Sequence, residues 1–376
     1  MIVFTKGISE TNVLLAYVNN VVEFSSNNML IPKRAVITIG SSVKTIYPNP
    51  SGVFYFNFKQ WITSIINTDN LKDDINLDIN NGYIYDWGKM FLSSAIDFKI
   101  IFTNNSEETT TKNTNWLLAT TQLEHYKTNN PIDLQLNKPF LLSPTMDLNN
   151  NAYYIKYWEG FPFDIPFYNG TETNILVSNE SNLLNYTFTT VSEVNRLLFS
   201  DGSITITIDD VLSLADGYNK LKLTSNQLDF YIDLEKQNGI CEGHYFKWLN
   251  EKGGYNYWLF PKGNRNRKIK DLGELKNDFY NLSDTISPAI QLGKQSNDVL
   301  MVSSDILTSE QNDVLSGILD SPKIYYFTGQ PFAKASYNDW IEVSLNVSDA
   351  RVINAKQHQN KYSLSFEFPQ RNTITI

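Results

Sequence analysis

The chain has 376 residues, more than one hydrophobic core ordinarily organises, so two or three domains are expected. Apolar residues at 41% exclude a disordered chain, while aromatics at 13%, abundant Asn, Thr and Ser, and scarce Ala argue against a helical bundle. A formal charge of −9 excludes a general nucleic-acid binder, which would carry a basic domain.

Met1–Gly7 lacks a basic region followed by an apolar stretch, so no export signal is expected. The apolar run Val13–Val18 is far too short to span a bilayer. In 53–58, Phe54, Phe56 and Phe58 share one face of a predicted strand. A short helix is predicted over 59–66, with Trp61, Ile62, Ile65 and Ile66 on one side. In 74–80, Ile75, Leu77 and Ile79 alternate with Asp74, Asn76, Asp78 and Asn80. The acids resemble the opening of a calcium loop, but its sixth-position Gly and twelfth-position Glu are missing, so a strand is expected. Residues 103–115 are polar without an apolar anchor and predict a linker or a long exposed hairpin loop.

Further along, 153–168 is an aromatic stretch containing Glu159 and Asp164. It reads as core or interface, with a sugar platform or a pair of hydrolytic carboxylates as the alternatives. Strands are predicted for 203–208, where Ile204, Ile206 and Ile208 face hydroxyl residues, and for 228–235, where Leu228, Phe230, Ile232 and Leu234 oppose polar neighbours. Residues 236–241 suggest a second boundary. Then 244–249 and 255–260 form an aromatic hairpin whose turn, Glu251–Gly254, uses glycine in left-handed backbone space. Residues 262–270 carry Lys262, Arg265, Arg267, Lys268 and Lys270 on a solvated loop, with docking to an acidic neighbour as the functional alternative. A weak helix is expected over 272–282. A stronger one over 308–320 has Thr308 and Gln311 in a capping box and Pro322 as its stop. Strands over 340–347 and 363–368 close the series. No fixed-period repeat argues for a solenoid or propeller.

The fold class expected is therefore all-β, with several small antiparallel sandwich or barrel domains and a few short helices. The proposed units are 1–102, 107–235 (an Ig-like sandwich) and 236–376. No Walker motif and no G-x-G-x-x-G fingerprint occurs. The single cysteine, Cys241, excludes an internal disulfide and suggests synthesis in a reducing cytoplasm. With His244 it makes only half a metal site, and His125 and His358 lie far off in sequence. His244, on one strand face with Phe246 and Trp248, is expected to be a packed or interface residue. No catalytic residue, cofactor or metal is expected.

The hairpin 241–260 resembles one recurrent in structural proteins of phages and prophages of Bacteroidota, the crAss-like phages among them. The shape is Lys247-Trp248-Leu249-Asn250, then Gly253-Gly254, then Tyr255-Asn256-Tyr257-Trp258. Residues 47–56 and 321–369 are similar to the same group. The resemblance implies a non-enzymatic virion protein, a tail, ring or collar subunit made in the bacterial host cytoplasm. Its partners would be copies of itself and other tail or neck proteins, with DNA passing through a channel without specific binding, and with no membrane. A receptor- or glycan-binding adhesin module is the alternative function. For the subunit interface the expected residues are Lys247, Trp248, Gly253, Gly254, Tyr255, Tyr257, Trp258, Lys262, Arg265, Arg267, Lys268 and Lys270, with the hairpin tip and the basic loop forming one projecting unit.

Overall fold

The computed structural model describes residues 1–121, 134–147, 152–204, 206–226, 228–238, 242–276, 289–346 and 361–375. The chain is all-β with short helices, and almost every strand pairing is antiparallel. Cys241, His125 and His358 lie outside the described residues, as does most of the helix expected over 272–282. The described start of that helix is strand Glu274–Lys276.

The N-terminal unit packs a three-stranded sheet on a five-stranded one. The first runs in the order Ile2–Lys6, Val21–Ser26, Phe54–Asn57. The second runs Val13–Leu15, Glu107–Leu117, Phe91–Phe102, Pro32–Ile39, Ser42–Ile46. Alternation drives both sheets: Phe24, Phe54, Ile37, Ile96, Phe98 and Ile100 are buried, while Tyr55 between Phe54 and Phe56 is exposed. Helix Lys59–Ile66 lies where its apolar side predicts, with Trp61 and Ile62 buried. The polar stretch 103–115 is the hairpin alternative rather than a linker. Phe91–Phe102 pairs with Glu107–Leu117 along its length, and only Thr103–Ser106 make the turn. The N-terminal sheet thus continues past the boundary expected near residue 102.

The middle unit stacks a four-stranded sheet on a six-stranded one. The four are Phe140–Leu141, Pro162–Tyr168, Val194–Asp201 and Ile84–Asp86, in sheet order. The six are Met146–Asp147, Ala152–Trp158, Leu228–Gln237, Gly217–Ser225, Asn174–Asn179 and Leu184–Thr189. Strand Ile84–Asp86 comes from the sequence region expected to belong to the first unit, and it pairs with Asn195–Leu197.

Two predicted strands in this part are absent. In 203–208, Asp201 Oδ1 accepts the Ser203 amide at 2.9 Å and Asp210 Oδ2 accepts the Thr207 amide at 3.1 Å. These side-chain bonds take up amides that a strand ladder would need and lead into helix Asp209–Leu212. Ile204 is left exposed. In 74–80, the Asp78 side chain accepts the Asn80 amide and starts a single 3₁₀ turn, Ile79–Asn81.

The C-terminal unit is a curled seven-stranded sheet. Its order is Tyr255–Phe260, His244–Leu249, Ile324–Phe327, Trp340–Leu345, Ser363–Glu367, Lys294–Ser303, Lys262–Asp271. Helix Ser309–Ser316 contacts strand Ala152–Trp158 of the middle unit, with Gln311 Nε2 donating to Glu235, and its Thr308/Gln311 capping box is formed as predicted. Replacing Thr308 by Ala removes the acceptor for the Gln311 amide and should cost about 1 kcal/mol, read as a lower denaturant midpoint. An unchanged midpoint would contradict that role.

Candidate functional site: a buried ionic junction and an exposed basic edge

The aromatic hairpin does not project. Lys247, Trp248, Tyr255, Tyr257 and Trp258 are all buried within the chain, so the expectation that they form a subunit interface is corrected: they are internal contacts. The turn spans Asn250–Gly254, one residue longer than predicted, with the Asn250 amide bonded to Gly254 O at 2.8 Å. Gly253 has φ +84°, as its left-handed role requires. Gly254 is glycine for a different reason: a Cβ there would stand 2.2 Å from Leu142 O and 2.5 Å from Pro166 Cγ. The turn is wedged between the N-terminal and middle units, and Trp87 Nε1 donates to Gly253 O at 3.0 Å.

Beneath the hairpin lies a closed ionic network that joins residues from all three expected domains. Arg196, fully buried on Val194–Asp201, donates Nε and Nη2 to the two oxygens of Asp164 at 2.9 and 2.6 Å. Its Nη1 reaches Asp73 Oδ1 at 2.8 Å. Lys247 Nζ donates to Asp73 Oδ2 at 2.6 Å, and the Tyr257 hydroxyl donates to Asp164. Two carboxylates thus balance two cations. The Arg196 guanidinium lies 5.0 Å from the Trp87 and 5.2 Å from the Tyr255 ring centre, and Lys247 Nζ sits 4.4 Å from the Trp340 ring centre. A guanidinium fork suits this place because it meets one carboxylate with two bonds and a second with a third.

Burial pushes the Asp73 carboxyl up, but the charges of Arg196 and then Lys247 outweigh it and hold the group well below the usual carboxylate range. Its folded-state pKa is depressed, so its contribution to stability is complete above the unfolded value near 4 and is lost as pH falls below that. The melting temperature should therefore hold between about pH 7 and 5 and fall steeply below about pH 4. Stability at pH 2 equal to that at pH 7 would contradict this.

The other sequence candidates have structural roles. Asp164 is consumed by Arg196 and Tyr257, and Glu159 Oε1 lies 3.3 Å from Lys236 Nζ. Tyr153, Tyr157, Trp158, Phe161, Phe163, Phe167 and Tyr168 are buried and belong to the core, while half-buried Tyr154 donates its hydroxyl to Glu235. Asp78, from the calcium-like stretch, pairs with Lys334 at 2.6 Å. His244 is half-buried and hydrogen-bonded through Nδ1 to the Tyr326 hydroxyl at 3.2 Å, with burial lowering its pKa. Among the described residues no group of three or more His, Cys, Asp or Glu could hold a metal ion. No helix among them is long and apolar enough to cross a membrane.

The basic segment is a strand, not a loop. Lys262–Asp271 is the terminal strand of the seven-stranded sheet, paired among the described residues only with Lys294–Ser303, and each of its residues is exposed. At its start it lies against His244, whose ring a Cβ on Gly263 would approach to 2.4 Å. From Asn264 onward its outer edge has no strand neighbour among the described residues, and the ribbon continues through Glu274–Lys276 paired with Ala289–Gln291. Its cations divide into two groups. Arg265 and Arg267, with Arg371, converge on the buried carboxylate of Asp298 at 2.8–3.1 Å and hold it down at about 2, Arg267 chiefly. Lys262, Lys268 and Lys270 form no ion pair among the described residues.

No family model matches the chain, and no curated protein matches it. Among solved structures, titin domains align at 7% identity over 80% of this chain and 92% of theirs, with a TM-score of 0.28. Fibronectin(III)-like modules of Clostridium thermocellum CbhA align at 5% identity over 63% and 95%, with a TM-score of 0.21. Domains 4–9 of the surface layer protein SbsC align at 9% identity over 100% and 46%, with a TM-score of 0.19.

Proposed function

We propose that this chain is a non-enzymatic structural subunit that assembles with copies of itself, as a tail or neck ring protein of a bacteriophage virion does. The carrying observation is the exposed basic strand Lys262–Asp271 at the edge of a body whose buried junction charges pair with one another. From Asn264 onward this edge strand displays backbone groups with no strand partner among the described residues, and such an edge is either defended or used for pairing with another chain. Five cations here, in a chain of net charge −9, favour a use in which the partner is acidic. The phage assignment rests on the resemblance of the 241–260 hairpin, which in this fold supplies rigidity rather than contact. The internal place of the 153–168 aromatics weighs against the adhesin alternative.

Arg265 and Arg267 are poor probes of assembly, because reversing them would place carboxylates beside buried Asp298. Lys262, Lys268 and Lys270 are the better choice. Changing all three to Glu should leave the melting temperature of the monomer within a few degrees, since exposed sites contribute little, and should abolish assembly. Undiminished assembly of the triple variant would contradict the role given to this edge.

A further inference from the structure

We infer that the basic edge of one copy adds to the strand edge Leu184–Thr189 of the next copy, so that neighbouring subunits share a continuous β-sheet. This rests on the assembly reading above and names the pair of surfaces that would carry it.

Leu184–Thr189 is the terminal strand of the six-stranded sheet and, among the described residues, pairs only with Asn174–Asn179. The Thr190 amide bonds to Thr173 O at 2.8 Å, which fixes the phase of the ladder. By the alternation of an antiparallel pair, the backbone groups of Asn185, Thr187 and Thr189 then point away from the sheet. The edge lacks the usual defences: Leu-Asn-Tyr-Thr-Phe-Thr contains no charge and no proline. Around it Leu183, Leu184, Tyr186 and Val191 are exposed apolar groups. Helix Asp209–Leu212 contacts this strand and is held at the start of the hairpin, where Asn179 Nδ2 and Asn182 Nδ2 donate to Leu212 O, and from the other side by Lys236 Nζ on Asp209; residues 184–187 and Thr189 remain exposed.

Charge identifies the occupant. Between Lys156 and Arg196 the sequence has no lysine or arginine, and Glu172, Glu180 and Glu193 are exposed around this hairpin. Asp210, also exposed, adds to the same region, its charge acting on Tyr83 beside Tyr186 and Phe188. The C-terminal sheet offers a terminal strand with Lys262, Lys268 and Lys270 unpaired among the described residues. Two such strands on one copy belong to different sheets, so pairing between copies is head-to-tail, which closes a ring or propagates a filament. Like-charged edges repel, so basic-to-basic and acidic-to-acidic pairings are disfavoured.

The test uses two variants of the full chain and a mixture of them. One carries Lys262→Glu, Lys268→Glu and Lys270→Glu; the other carries Glu172→Lys, Glu180→Lys and Glu193→Lys. Circular dichroism first establishes that both fold. Each alone should remain monomeric by light scattering where wild type assembles. Mixed, they should assemble again as alternating copies, since the intact acidic edge meets an intact basic one and the two reversed edges also carry opposite charges. Normal assembly of the glutamate-reversed variant alone, or a mixture that stays monomeric, would overturn the edge pairing while leaving the assembly reading in place. A wild-type chain that never assembles would overturn both.

Discussion

Replacing Arg196 by Met should lower the stability of the chain by about 3–5 kcal/mol, because it leaves two buried carboxylates facing one remaining cation. Asp164 would lose both of its guanidinium bonds, and Asp73 would retain Lys247 alone. Neither carboxylate can reach water in place: Asp164 and Asp73 are 1% and 8% exposed. Arg196→Lys should also destabilise, by less, since an ammonium cannot bridge two carboxylates with three directed bonds. Denaturant unfolding followed by tryptophan fluorescence checks both variants, with Trp87 and Trp340 reporting directly on the junction. The penalty should fall on the whole molecule as one cooperative loss, since the network ties residue 73 to residues 164, 196 and 247. If Arg196→Met unfolds within about 0.5 kcal/mol of wild type, as an ordinary surface change would, the junction does not hold the units together.

Gly254→Ala is the second large effect expected. Its Cβ would lie 2.2 Å from Leu142 O, 2.5 Å from Pro166 Cγ and 2.9 Å from Leu142 Cβ. Two of these neighbours are held in place: Leu142 donates its amide to Pro166 O at 2.9 Å, and its carbonyl accepts from Asn250 Nδ2 at 2.8 Å. The hairpin must therefore back out of its seat, costing about 1–3 kcal/mol in overpacking and loosening Trp87 Nε1 from Gly253 O. Gly40 is the control: a Cβ there meets nothing within 4 Å, so Gly40→Ala reports only the strain of φ +55°. Thermal unfolding should rank Gly254→Ala clearly below Gly40→Ala, and the reverse order would contradict the wedge.

Strands with one wet and one dry face were legible in the sequence. The alternation in 53–58, 228–235, 340–347 and 363–368 marks strands in the described residues, and the helix at 59–66 sits where its stripe places it; the one expected over 308–320 starts at its cap but ends at Ser316, short of the Pro322 stop. Period two fails where both faces share one environment. Lys262–Asp271 is exposed on both sides and reads as a loop; Pro162–Tyr168 and Val194–Asp201 are buried throughout and show no alternation. It misleads at 203–208, where aspartate side chains capture the amides.

The hairpin 241–260 was legible as a distinctive element, but its place was not. Dense aromatic sequence looks alike whether it faces a second molecule or a second domain. The partner of Lys247 is Asp73, 174 residues away, and that of Arg196 at the same carboxylate is 123 away, so no local spacing could have paired them. One sign was available: a lysine and an arginine within strongly apolar strands imply buried counter-charges.

The oligomeric mass of the purified chain, measured by light scattering across concentration and ionic strength and followed by electron microscopy, tests the assembly claim most directly. Rings or a defined multiple that weaken as salt is raised would agree with β-edges drawn together by opposite charge. A monomer at every concentration, low salt included, would contradict it.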